Sequence, residues 1–245
     1  MVVYASSNRD SKNETKLIQS MINRQVDGLI LASTQQNSED IDMLKKNKLP
    51  FVLIDRIYPE KETNYVVVDN FGGVQKATEH LLNLGRRKIG FITLKPGLEA
   101  MRQRLLGYQE TLKQFNIDPI NALVKELSNV DYKDEIKEAL EELVRFPNSV
   151  DSIIFSTHYL TSLGLRELRR LNVKVPHEVA IVSFDELGAF DLVDPPITSI
   201  KQPGAEIGDY SVDILMDEIQ GIKGGIDKTK MLDAFLIIRK SCGAL

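Results

Sequence analysis

The feature of this sequence that most constrains its fold is the alternation of short apolar runs with longer segments of helical periodicity. The apolar runs are rich in β-branched residues, and the segments between them repeat apolar residues three or four positions apart. Strand–helix alternation of this kind predicts an α/β fold built on doubly wound parallel sheets. The predicted strands are residues 2–5, 27–32, 51–54, 65–68, 89–94, 122–127, 152–156, 179–183, 197–201 and 234–239.

The stretch from residue 179 to residue 202 indicates where a ligand would bind. Its first apolar run ends at Phe184-Asp185, so a carboxylate stands at the carboxyl end of a predicted strand. In open α/β sheets, ligands bind at this end of the strands. Asp194 and two prolines follow, which cannot continue a helix, and then comes a second extended run. This order is typical of a chain that crosses between two lobes.

Composition narrows the class of protein. The length of 245 residues allows one large α/β unit or two lobes, and 42% hydrophobic with 27% charged residues is typical of a folded globular protein. The net charge is −4 and the sequence has no dense run of basic residues, so its charge does not indicate nucleic acid binding. The single cysteine, Cys242, excludes an intrachain disulfide. Neither a membrane-spanning run nor a signal peptide is recognisable, so we expect a cytoplasmic protein.

Four ionisable side chains fall at predicted strand ends or on the facing helices: Asp55, Arg104, His158 and Asp185. Each also has a plain structural interpretation. Asp55 could form a turn or an ion pair with Arg56, and Arg104 could be solvated on its helix. His158 could cap a helix, and Asp185 could cap a turn. Their common location at strand ends favours a binding site.

Motifs of enzymes on doubly wound folds are absent from the sequence. It contains no GxGxxG after a strand, no P-loop, no nucleophile elbow and no HExxH motif. The histidines His80, His158 and His177 and the one cysteine are too scattered for a metal cluster. We therefore expect no catalytic residue, metal or cofactor. The alternatives are a solute-binding protein of a sugar transporter, which would need an export signal, and a small-molecule enzyme on this fold.

Several stretches follow the pattern of one known family. Residues 183–186 read SFDE and residues 194–203 read DPPITSIKQP. Matching stretches also occur at residues 26–31, 50–56, 69–85, 104–108 and 238–243. Together they resemble the ligand-sensing core of bacterial repressors of the lactose-repressor (LacI) type. The resemblance extends over residues 2–243 and implies two lobes of the periplasmic-binding-protein-like type I class, joined by crossovers.

The resemblance implies roles for individual residues. Arg104, three residues before a Gly-Tyr pair, would grip ligand hydroxyls or a carboxylate, and Asp185 would accept hydrogen bonds from hydroxyls. Asp55 would face them from the other lobe. Tyr132 would lie against a sugar face, with core packing as its alternative, and Gln202 would border the cleft, with hinge structure as its alternative.

Two positions depart from the family pattern. His158-Tyr159 stands where the family commonly has Asn-Asp, so an imidazole replaces an amide that would contact the ligand. Ala32 stands where some members have a polar ligand residue.

Carboxylates only accept hydrogen bonds and guanidinium groups only donate them, which suits sugar hydroxyls because these do both. We therefore expect a sugar or sugar derivative to bind between the lobes.

The resemblance also predicts domain boundaries and partners. The N-terminal lobe would comprise residues 1–94 and 203–233, and the C-terminal lobe residues 95–202 and 234–245. The family has a further strand and helix before the region that aligns with residue 2, and ahead of them a helix-turn-helix domain that reads operator DNA. The chain is thus expected to be a fragment or an internal start. Because the missing strand would be central, we expect impaired folding if nothing replaces it.

The sequence therefore predicts the effector-binding and dimerisation core of a LacI-type transcriptional repressor. Effector binding would shift the populations of two lobe arrangements in a homodimer, and so the spacing of its DNA-binding domains. The family resemblance implies that dimerisation would use the first helices of the N-terminal lobe and, in the C-terminal lobe, the segments around residue 163 and residues 187–193. Operator DNA would be bound only through the helix-turn-helix domain, which this sequence does not contain.

Overall fold

The computed structural model describes residues 1–95, 97–120, 123–128, 131–145, 149–222, 225 and 227–244. Its helices are α1 (Ser11–Asn23), α2 (Glu39–Lys46), α3 (Asn70–Asn83), α4 (Glu99–Gln114), α5 (Tyr132–Val144), α6 (His158–Arg170) and α7 (Gly204–Gln220). Its strands are β1 (Leu29–Leu31), β2 (Phe51–Ile54), β3 (Tyr65–Val68), β4 (Ile89–Leu94), β5 (Val124–Leu127), β6 (Ser152–Phe155), β7 (Ala180–Phe184), β8 (Thr198–Lys201), β9 (Thr229–Leu232) and β10 (Phe235–Ile237). A 3₁₀ turn, Lys240–Cys242, lies close to the carboxyl terminus.

The chain forms two compact units, each with its own sheet. Unit 1 comprises Met1–Val68 and Pro203–Leu232, and unit 2 comprises Asp69–Gln202 and Asp233–Leu245. The strand order is β1-β2-β3-β9 in unit 1 and β10-β8-β7-β6-β4-β5 in unit 2. Neighbouring strands are parallel except for β10, which is antiparallel to β8. The predicted α/β fold with two parallel-sheet lobes is confirmed, and one antiparallel edge strand is common in such sheets.

Unit 1 buries both faces of its sheet. Phe51 and Leu53 of β2 pack with Ile18 of α1, whereas Val52 between them packs with Ile214 of α7. Successive residues of a strand point to opposite faces, so a strand with helices on both sides must be apolar at every position. The continuous apolar run of β2 has this physical cause.

In unit 2, a close approach of α4 to α3 fixes the orientation of α4. A Cβ atom at Gly107 of α4 would lie 2.4 Å from the carbonyl oxygen of Phe71 in α3, so only glycine fits there without a shift. The next residue, Tyr108, is fully buried and stacks on Phe91 of β4 with ring centroids 5.0 Å apart. Arg104 precedes Tyr108 by one helical turn, so it lies on the same buried face of α4.

Residues 2–5 do not form the predicted strand. They have no regular structure, and Val2 and Tyr4 are 78% and 94% exposed. A strand is stable only when its backbone groups bond to a neighbouring strand. Among the described residues, β1 pairs only with β2, and residues 2–5 join neither sheet. The β propensity of these residues is therefore not sufficient to make a strand.

The predicted domain boundary at residue 94 also differs from the structure, in which the chain first passes between the units after Val68. The reason is the pairing of β4, which bonds to β5 and β6 in the second sheet. A strand–helix pattern does not specify which sheet a strand joins. The other two crossings follow Gln202 and Leu232.

Sequence reasoning did not predict β9, which pairs in parallel with β3 at one edge of the first sheet. Thr229 and Met231 of this strand are exposed, so β9 lacks the buried apolar run that marks strands such as β2 and β7. The predicted strand at residues 122–127 corresponds to β5, and Ala122 lies outside the described residues. None of the helices in the described ranges combines the length and the apolar character that a bilayer crossing requires.

Candidate ligand-binding site

Asp185 follows β7, and polar side chains from three other elements of unit 2 lie close to its carboxylate. Gln202 Nε2, just after β8, donates to Asp185 Oδ1 at 2.5 Å. Arg104 Nη1 of α4 lies 3.8 Å from Oδ2, and His158 Nδ1 of α6 lies 3.6 Å from the same oxygen. The structure thus brings together four of the six predicted site residues. They lie at the carboxyl ends of the parallel strands, where ligands bind in this class of fold.

Arg104 is buried, so its interpretation as a solvated helix residue is wrong. Its Nε donates to Asn70 Oδ1 at 2.7 Å, and its Nη1 donates to the carbonyl oxygen of Ser156 at 2.6 Å. The guanidinium carbon lies 3.5 Å from the centre of the Phe184 ring, a cation–π contact. These contacts fix the positive charge beside Asp185.

His158 is the first residue of α6 but does not cap the helix. The N-cap is Thr157, whose side chain accepts a hydrogen bond from Leu160 N at 3.3 Å. The capping interpretation of His158 is therefore wrong. Its side chain is 44% exposed, so the imidazole lies between Asp185 and solvent. An imidazole in this position can contact a ligand that reaches Asp185.

The pKa of Asp185 lies below the ordinary aspartate value. Burial alone would raise this pKa, but the imidazole of His158 beside the carboxylate, the positive charge of Arg104 and the hydrogen bond from Gln202 together lower it. Asp185 is therefore an ionised carboxylate at neutral pH and only accepts hydrogen bonds.

Tyr132 is connected to the imidazole of His158 by ring contacts through Tyr159. It is the first residue of α5, and its ring meets that of Tyr159 edge-on at 5.5 Å. Tyr159 in turn meets the ring of His158 at 5.5 Å. Tyr132 and Tyr159 also pack against the core of unit 2, so the packing interpretation of Tyr132 has support. A role for Tyr132 against a sugar face stays a prediction.

Asp55 belongs to unit 1, where it follows β2 with a positive φ of 64°. Its Oδ2 lies 3.3 Å from Arg56 Nε, and its side chain is 47% exposed. Arg56 also donates to the carbonyl oxygen of Ser33 at 3.0 Å. The ion pair with Arg56 that the sequence suggested is therefore present, and ligand contact by Asp55 stays a prediction.

Sequence reasoning missed the residues that hold Arg104. Asn70 starts α3 directly after the N-cap Asp69, and nothing local indicates that its amide faces a side chain 34 residues away. Phe184 reads as an ordinary strand residue, although its ring lies under the guanidinium group. In the sequence, only the position of Phe184 next to Asp185 could have indicated a part in the site.

The four clustered side chains form one connected polar network, which holds them in place before a ligand arrives. The network combines an ionised acceptor, a fixed cationic donor and an amide that does both. Within the described residues, no group of three or more His, Cys, Asp or Glu side chains could hold a metal ion. A polar network at the carboxyl ends of a parallel sheet is the arrangement expected of a small-molecule-binding α/β domain.

Known proteins share this fold and are similar to this sequence. The model of the periplasmic binding protein-like domain matches residues 78–242. The "Probable HTH-type transcriptional regulator EndR" of Paenibacillus polymyxa is 30% identical over 89% of this chain and 64% of its own length. The HTH-type transcriptional repressor CytR of Escherichia coli is 27% identical over 100% of this chain and 71% of its own length. A complex of the transcriptional regulator CelR with cellobiose superposes with a TM-score of 0.84 at 28% identity, covering 95% of this chain and 71% of that one.

The chain belongs to the periplasmic binding protein-like domain family, and the relatives it matches are LacI-type regulators. The resemblance inferred from the sequence is thereby confirmed. The chain spans about two thirds of the length of EndR and CytR.

Proposed function

We propose that this chain is the effector-sensing and self-association core of a LacI-type transcriptional regulator. Its family and the regulators that it resembles support this proposal. Because the chain spans only part of their length, operator binding is proposed for the whole regulator. We assign that binding to a helix-turn-helix domain outside this sequence, in agreement with the HTH-type names of EndR and CytR. Such a regulator would act in the cytoplasm, where operator DNA lies.

The proposed effector is a small polyol, either a sugar or a sugar derivative. The observation that carries this proposal is the pair formed by Arg104 and Asp185 at the end of β7. One group only donates hydrogen bonds and the other only accepts them, so a hydroxyl that does both can bond to each. The bound cellobiose in the CelR structure, at 28% identity, supports a saccharide ligand.

Further contacts are proposed from the same cluster. Gln202 and His158 would bond to neighbouring hydroxyls, and Tyr132 would cover the apolar face of a sugar ring. The contact of Asp55 with ligand is part of the same proposal and rests on the family resemblance.

We also propose that the protein binds its effector without converting it. The relatives are regulators, and the site is an ion pair and an amide held in a fixed network. A ligand that prefers one arrangement of the protein shifts the population towards that arrangement. In a homodimer, such a shift would change operator affinity by the free energy of coupling between the two sites.

A thermal-shift screen tests the proposed function. The purified chain is heated with a panel of neutral sugars, sugar phosphates and nucleosides, with Asp185→Asn as the control. A ligand at 100 times its dissociation constant adds about 2.7 kcal/mol of stability. We expect a saccharide to raise the melting temperature of the wild type, and the control to show a smaller rise. A cooperative melt that no sugar shifts would contradict the sugar proposal, and turnover of the bound sugar would support an enzyme instead.

A further inference from the structure

Glu186, the residue after Asp185, forms a bidentate ion pair with Arg239. Arg239 Nη2 donates to Glu186 Oε1 at 2.6 Å, and Arg239 Nη1 donates to Oε2 at 3.1 Å. Ser199 Oγ donates to Oε2 as well. Each of the two charged side chains is only 18% exposed, so water and salt screen this pair less than they screen a surface pair.

Arg239 is itself anchored to the start of β8. Its Nη1 donates to the carbonyl oxygen of Ile197 at 2.6 Å. Its backbone N–H donates to Thr198 Oγ1 at 2.9 Å, and that hydroxyl donates to the Arg239 carbonyl oxygen at 3.0 Å. The guanidinium group therefore has a fixed position from which to hold Glu186.

The charge state of the pair is fixed as well. Burial alone would raise the pKa of Glu186, but the hydrogen bonds from Arg239 and Ser199 lower it below the ordinary glutamate value. The charges of Arg239 and Lys201 act in the same direction, and Asp191 is a further acid close to Arg239. Glu186 is thus ionised over the neutral pH range.

Asp185 depends on such support because its backbone is in the left-handed region, with a φ of 70°. Aspartate adopts this conformation more readily than most residues with a Cβ, but it still has to be held there by its surroundings. On the side-chain side, Gln202 holds the carboxylate. On the backbone side, Ser183 Oγ donates to the Asp185 carbonyl oxygen at 3.3 Å, and the next residue along the chain is Glu186, held by Arg239.

We propose that Arg239 is a positioning residue for the binding site: by holding Glu186, it keeps Asp185 in the conformation that presents its carboxylate to the ligand. The inference rests on the proposed function, in which Asp185 contacts the effector. Arg239 acts through Glu186 and is not itself a ligand contact. The carboxyl-terminal segment in this way supports the effector site.

The test uses the side-chain amide of Gln202, which bonds to Asp185 and reports on its position without any ligand. In protein labelled with ¹⁵N-glutamine, the two amide signals are assigned by their loss in Gln202→Ala. Asp185→Asn then gives their position when the carboxylate is removed. We expect Arg239→Gln and Glu186→Gln each to move the signals most of the way to that position, and the double variant to move them no further. Arg239→Lys keeps the positive charge but cannot form the two parallel hydrogen bonds of the guanidinium group. It should restore part of the wild-type chemical shift.

Arg86→Gln is the matched control. Arg86 is also a half-buried arginine of unit 2, and it donates to the carbonyl oxygens of Asp151 and Pro176 at 3.1 Å each. This variant is expected to leave the Gln202 signals in place. Wild-type signals in folded Arg239→Gln and Glu186→Gln would overturn the proposal, as would an equal displacement in Arg86→Gln. If Arg239→Gln does not fold, Glu186→Gln and Arg239→Lys decide the outcome in the same way.

The outcomes of this test and of the sugar screen are separate. Displaced Gln202 signals without any sugar hit would contradict the proposed function and leave the link between Arg239 and Asp185 standing. A sugar hit with unmoved signals would contradict the positioning role alone.

Discussion

Arg104 and Asp185 face each other as charges without a direct hydrogen bond. Arg104 Nη1 lies 3.8 Å from Asp185 Oδ2, too far for a hydrogen bond, and donates instead to the carbonyl oxygen of Ser156 at 2.6 Å. One ligand hydroxyl that accepts from Arg104 and donates to Asp185 would complete this pair.

Removing either charge of the pair should weaken effector binding. We expect Asp185→Ala and Arg104→Ala each to reduce the binding free energy by about 1–3 kcal/mol, because the ligand hydroxyl that bonds to the removed group is left unpaired. Isothermal titration calorimetry with the saccharide found in the screen measures the change. Arg102→Ala is the control, since Arg102 on the same helix is exposed and, among the described residues, forms its ion pair with Glu99. Unchanged affinity in both site variants would rule out this site.

The lowered pKa of Asp185 predicts how its contribution to stability depends on pH. A carboxyl group whose pKa is lower in the folded state stabilises that state fully above its unfolded pKa, here 3.8. The contribution is lost as the pH falls through the folded pKa. The difference in unfolding free energy between the wild type and Asp185→Asn should therefore be constant near neutrality and shrink below about pH 4. Urea unfolding at several pH values measures it, and a difference that did not change with pH would contradict the assignment.

A methyl group at Gly107 should destabilise unit 2. Its Cβ would lie 2.4 Å from the carbonyl oxygen of Phe71, so α4 and α3 would have to move apart. We expect Gly107→Ala to lower the free energy of unfolding by about 1–3 kcal/mol. Gly208→Ala on the exposed side of α7 is the matched control, because a Cβ there has nothing within 4 Å. The control should be neutral or stabilising by up to about 1 kcal/mol, as expected for alanine in a helix. Equal effects of the two substitutions in urea unfolding would show that a Cβ at residue 107 does not clash with Phe71.

The cap of α6 separates the roles of Thr157 and His158. Thr157→Ala removes the acceptor for Leu160 N and should cost about 1 kcal/mol of stability. His158→Ala removes a half-exposed side chain that caps nothing and should change stability by less than about 0.5 kcal/mol. Thermal unfolding of both variants compares them directly. A larger loss in His158→Ala would mean that the imidazole, and not the Thr157 hydroxyl, supports the start of the helix.

The sequence was a good guide wherever the physical cause is local. The apolar runs that became β2 and β7 are continuous because both faces of each sheet are covered, and this burial leaves a direct mark in the sequence. Asp185 was identifiable because it stands directly after such a run. Arg104 was identified through the family resemblance, by its position three residues before a Gly-Tyr pair, and this pair packs α4 against α3 and β4.

What only the tertiary structure decided are the relations between segments far apart in the chain. Strand pairing placed β4 in the second sheet, brought β9 to the edge of the first, and left residues 2–5 without a strand. Folding also brought Asn70 to Arg104, and Arg239 to Glu186 from 53 residues away. Local composition selects helix or strand through backbone propensity and burial, whereas these pairings depend on which backbone groups and charges meet after the chain has collapsed. The sequence by itself therefore determined the class of fold and indicated the two oppositely charged residues of the candidate site, Asp185 and Arg104. The tertiary structure decided what holds these side chains in place.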